Sequence, residues 1–143
     1  MATLQLYNHT AQRFASGANS STDTYKVKLL TAGTFDATNT TLAATGGTEV
    51  ANGNGYTTGG QALANVAVTT VTTNDAKFDA DDVSWAVSGG GSIAALAAVI
   101  YNDTDTDDPP VAFIDFGGTR TVSSGNNFVL SWNADGIFTW TVT

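Results

Sequence analysis

The stretch Gly89–Asp103, GGGSIAALAAVIYND, contains the longest apolar run of the chain, Ile93–Tyr101. Ala and Leu favour a helix there. The run is short, however, ends in β-favouring Val-Ile-Tyr, and lies between glycines and Asp103, which together predict a strand buried on both faces. It is also far below the roughly 20 residues a membrane-spanning helix needs.

The flanking segments extend the β reading. Val83, Trp85 and Val87 alternate with Ser84, Ala86 and Ser88, and Tyr25, Val27 and Leu29 alternate with Lys26 and Lys28, so each row is one face of a half-buried strand. Ala62–Thr72 reads as another strand, with Ala62, Ala64, Val66 and Val68 on one side. A turn at Thr72–Asp75 and a short piece around Lys77 and Phe78 follow it. Val111–Phe116, Phe128–Trp132 and Ile137–Val142 are short runs separated by GGTRTVSSGNN and by Asn133–Gly136, the latter the right length for a hairpin turn. Leu4, Tyr7, Ala11 and Phe14 recur at helical spacing, which predicts a short helix over Leu4–Ala15 stopped by Gly17. Thr31–Gly47 has no period and reads as a long surface connection with a short irregular element near Leu42. Seven or eight short strands predict a mainly β, single-domain antiparallel β-sandwich over residues 1–143, jelly-roll or immunoglobulin-like. Residues 1–17 would form a helical segment on it or extending from it.

Composition narrows function. The chain has 143 residues, no cysteine and a net charge of −8. Its core must therefore form by packing, without disulfides. The five basic residues, Arg13, Lys26, Lys28, Lys77 and Arg120, are scattered, so no cationic stripe suits nucleic acid. The start, MATLQLYNHT, lacks the basic and apolar regions of a secretory signal, which predicts a soluble chain made in the cytoplasm, with no membrane partner.

Three motifs invite sharper readings. Val50–Gly60, VANGNGYTTGG, suggests a phosphate cradle, but Thr58 occupies the sixth position of the dinucleotide fingerprint and a strand-like segment follows, so a glycine turn is expected. Asp103, Asp105 and Asp107 alternate as in a calcium loop. Asp108 and Ile114, though, stand where an EF-hand has glycine and glutamate, which leaves these three aspartates as weak calcium candidates in a solvated acidic loop. Asp79–Asp82 reads as a turn. His9, the single histidine, has no nucleophile motif to serve and is expected on a helix surface. No catalytic, cofactor-binding or firm metal residue is assigned, and a non-enzymatic chain is expected. Trp85, Trp132 and Trp140 could stack on sugars, yet each is in phase with apolar neighbours and is expected in the core.

The segments YKVKLLTAGTF, GNGYTTGGQAL, KFDADDVSW, AVIYNDT, AFIDFGG and NADGIFTWTV, in that order, resemble a family of small virion proteins of tailed bacteriophages. The likeness runs from about Leu4 to the end. It implies a head decoration or cement protein on the capsid exterior, made in the host cytoplasm, whose partner is the major capsid protein and which forms a dimer or trimer on the shell. A tail or fibre component, or a receptor- or carbohydrate-binding β-domain, is the alternative. Under the cement reading the contacts come from the N-terminal segment and the long loop, with Leu4, Tyr7, Phe14, Phe35 and Leu42 as candidates.

Overall fold

A computed structural model of the chain describes residues 2–71 and 74–142. Its strands are β1 (Thr3–Leu6), β2 (Tyr25–Ala32), β3 (Thr48–Glu49), β4 (Gln61–Ala62), β5 (Ala67–Thr70), β6 (Ala76–Asp79), β7 (Val83–Ala86), β8 (Ser92–Asn102), β9 (Pro110–Ser123), β10 (Asn127–Leu130) and β11 (Phe138–Trp140). One helix, α1 (Thr10–Ser16), and a 3-10 turn at Ala43–Thr45 complete the set. The fold is mainly β, antiparallel and sandwich-like. A six-stranded sheet runs β1-β9-β8-β2-β3 with β4 also pairing β2, and it faces two small sheets, β10-β7 and β11-β6-β5.

The main core fills the space between these layers. Tyr25, Val27 and Leu29 from β2 and Ile93, Ala95, Ala98 and Ile100 from β8 meet Phe78, Trp85, Phe128 and Phe138 from the small sheets. The residues of β8 that face this core change parity between Ala95 and Ala98, because the ladder to β9 is irregular between Ala95 and Ala97. Ala97 and Val99 therefore point the other way, into a second core with Tyr7, Leu30 and Phe113. Phe35 and Leu42 from the long loop cover it. Burial on both faces, as expected for β8, follows from that loop.

Several expectations are corrected. The N-terminal segment is a strand followed by a shorter helix, since Thr3–Leu6 pairs with Ala112–Asp115 of β9 and only Thr10–Ser16 is helical. Gly17 does end the helix, in the left-handed conformation at φ 80°. His9 sits just ahead of the helix, partly buried, and its Nε2 lies 2.7 Å from the Pro110 carbonyl. The strand expected at Ala62–Thr72 is two, because Asn65 takes a left-handed φ of 53° and breaks the run. Thr72 and Thr73, within that strand and the turn expected after it, lie outside the described residues.

Strand β9 passes through Gly117 and Gly118 instead of ending at Phe116. Those glycines form a bulge: Asp115 pairs with Ala97 and Arg120 with Ala95, leaving four residues of β9 opposite one of β8. Asn133–Gly136 is a tight turn, closed by the Gly136 N–H to Asn133 carbonyl bond of 2.8 Å, yet β10 and β11 pair with different strands. Trp132 therefore lies past the end of β10, and Val142 past the end of β11 is 68% exposed.

Candidate functional site

The glycine loop is a clasp. Asn54 (φ 53°) and Gly55 (φ 92°) turn a two-residue hairpin whose ends, Gly53 and Tyr56, exchange backbone hydrogen bonds of 2.8 and 2.9 Å. That turn drops Tyr56 into the main core. Its hydroxyl donates to Glu49 Oε1 at 2.7 Å and accepts the Leu29 N–H at 3.0 Å, while Glu49 Oε1 also takes the Gly59 N–H at 2.6 Å. The Tyr101 hydroxyl donates to the Gly59 carbonyl at 2.6 Å. Burial, then the bond to Glu49, pushes the Tyr56 phenol up. The chain's only glutamate thus serves the interior, and the N–H groups of Gly53, Tyr56, Thr58, Gly59 and Gly60 are committed to the protein itself.

The acidic loop is a second clasp. Asp105 accepts from Arg13 at 2.6 Å and Asp103 pairs with Lys26 at 2.8 Å, so two of the three calcium candidates face different cations. Among the described residues no three acidic or histidine groups converge as a metal ion requires. Beside them buried Asn102 donates to Asn19 Oδ1 (3.0 Å) and to Asp23 (2.9 Å), and Arg13 Nε also donates to Asn19 Oδ1 (3.0 Å). The network ties α1, the turn before β2 and the loop after β8 together.

The hydrogen bond from Arg13 holds the Asp105 carboxyl below its usual 3.8. A depressed folded value stabilises the protein above the ordinary carboxylate range, and that contribution is lost as pH falls through the folded value. The pair is partly exposed, so its contribution is small. Urea midpoints measured from pH 7 downward should show Asp105→Asn modestly below the wild type at neutral pH. The two should begin to converge only as the pH drops below about 4, and should meet below the folded value of Asp105. A constant offset at all pH values would mean the pair contributes nothing through charge.

The contact candidates are dispersed. Tyr7 is buried, with ring centroids 5.1 Å from Phe35, and Phe35 lies 5.9 Å from Phe113, so these residues and Leu42 pack the second core. Phe14 packs edge-on against Phe78 and Trp140 at 5.4 and 5.1 Å. Ala11, Phe14, Val68 and Trp140 line a shallow groove between α1 and the small sheet. Leu4 lies elsewhere, on the floor of a larger groove.

That larger groove, about 630 Å³, opens between β9 and β10. Leu4, Ile114, Phe116, Phe128 and Ile137 are among its apolar lining, and Arg120 and Trp132 stand in its wall. The Trp132 indole N–H is held by the Asp81 carbonyl at 2.9 Å and its backbone N–H by Asp82 at 2.9 Å, which fixes the ring. Arg120 donates to the Phe116 carbonyl at 3.1 Å, closing the bulge. The sequence marks Trp132 only as a possible sugar stacker expected in the core, and it does not mark Phe116 or Arg120 as site residues, since no local pattern joins positions so far apart. Of the three tryptophans only Trp85 is buried as expected; Trp132 and Trp140 are half-buried beside the two grooves. Comparison with protein-family models, with curated proteins and with solved structures finds no match.

Proposed function

We propose that this chain is a non-enzymatic structural protein of a phage virion, a decoration protein that binds the assembled major capsid protein lattice and stabilises the head. The observation that supports docking most is the groove between β9 and β10, a strand edge beside an apolar floor on an otherwise acidic surface. The virion setting rests on the sequence resemblance. The stretches that carry it include scaffold residues, Tyr56 and Gly60 of the clasp and Phe78 and Trp85 of the core, which suits a rigid module.

A protein that binds the shell better than free subunits stabilises the shell by mass action, and lattice symmetry multiplies a modest contact over many copies. Quantitative mass spectrometry of purified particles tests this: a copy number near that of the major capsid protein is expected. A few copies per particle would move the chain to the tail or fibre, and its absence from particles would end the virion reading.

A further inference from the structure

The groove between β9 and β10 presents a strand edge and not merely a face. Phe128, Val129 and Leu130, three consecutive residues of β10, line it, whereas a strand lying flat would contribute only alternate ones. Among the described residues β10 pairs with β7 alone, so its other edge is unpaired. Soluble proteins protect such edges with Lys, Pro, bulges or inward charges. β10, Asn-Phe-Val-Leu, has none of these, and Val129 is 48% exposed. The neighbouring stretch of β9 is protected by its bulge and by Arg120.

Charge says more about the occupant. Arg13, Lys26 and Lys77 are each paired with an aspartate, which leaves Lys28 on β2 and Arg120 at the groove without one among the described residues. Arg120 has no carboxylate within salt-bridge distance among the described residues, although the chain carries a net charge of −8, and its guanidinium keeps donors beyond the one used on Phe116.

From this we infer that the groove takes an extended segment of a partner protein, added as a strand along the free edge of β10. Apolar side chains at alternate positions sit on the Phe116–Phe128–Ile137 floor, and a carboxylate pairs with Arg120. The inference rests on the docking reading above and specifies its partner's chemistry. Two copies of this chain are poor occupants for each other, because each brings the same excess of negative charge.

The test needs no virion. A random peptide display library is selected on the wild-type chain and counter-selected on Val129→Lys, which places a charge on the exposed edge without touching the core. The expected winners alternate apolar residues and carry one Asp or Glu. A synthetic winner should lose about tenfold or more in affinity to Arg120→Glu and regain it when its acid is changed to Lys. The inference is overturned by no enrichment over Val129→Lys, or by winners that bind Arg120→Glu equally well. Concentration-dependent dimerisation abolished by Val129→Lys would also overturn it, since a second copy would then be the occupant. Failure here with the chain still abundant on particles would remove this groove while leaving the decoration role intact.

Discussion

Gly60→Ala should destabilise the chain by more than about 3 kcal/mol, the largest single-residue effect expected. Gly60 holds a left-handed φ of 81°, and an added β-carbon would fall inside the van der Waals radius of the Val27 carbonyl oxygen and close to the Lys28 backbone. Those atoms belong to β2 in the middle of the six-stranded sheet, so neither side can give way without breaking the ladder. Strain in the left-handed region alone amounts to about 1–2 kcal/mol. Overlap with backbone adds to it, and a total above about 3 kcal/mol is a large share of a stability of about 5–15 kcal/mol. Gly17→Ala is the matched control: φ is again 80°, but no atom lies within 4 Å of the new carbon, so only the strain of about 1 kcal/mol should appear. Thermal melts of the two variants decide it. Equal melting temperatures would show that close approach to β2 contributes nothing.

Above pH 10 the protein should unfold in one cooperative step that coincides with ionisation of its tyrosines. All four are buried, and all four phenols are raised above the ordinary value of 10. Loss of hydration is the leading cause in each. Asp36 adds to it at Tyr7, Asp23 at Tyr25, and Asp103 at Tyr101, and the Tyr7 phenol is pushed up to about 12. The native state therefore keeps protons that the unfolded chain releases near pH 10. Stability from these groups is whole below that pH and falls as pH rises toward the folded values. Linkage caps the slope at about 1.4 kcal/mol per pH unit for each proton, and four phenols act together. Tyrosinate absorbance and near-ultraviolet circular dichroism, followed against pH, should change together. Gradual phenol titration around pH 10 with the dichroism intact would show that these side chains are open to water.

Much of this architecture was legible in the chain because alternation is local. Tyr25, Val27 and Leu29, and Val83, Trp85 and Val87, each show the period of two that their strands use. Where the reading failed, a tertiary partner overrode a local period. Leu4, Tyr7 and Phe14 have helical spacing by coincidence: Leu4 and Phe14 reach the main core, Tyr7 reaches the second core, and the first strand exists because β9 pairs with it. Gly117 and Gly118 look like a turn but kink a continuing strand. The groove left no local mark, since it joins Leu4, Phe116, Arg120, Phe128 and Trp132 through folding alone. Glu49 left no local mark either, since its bonds to the Tyr56 hydroxyl and the Gly59 N–H are made by folding.

The pairing of β1 with β9 has a bearing on biosynthesis. Thr3 lies opposite Asp115, and the Thr10 hydroxyl donates to the Val111 carbonyl at 2.7 Å. A nascent chain leaving the ribosome would therefore carry Thr3–Leu6 unmated until Ala112–Asp115 had been made. Closure of the large sheet would follow emergence of the Pro110–Ser123 hairpin arm, making maturation a late, all-at-once event slowed by distant pairings.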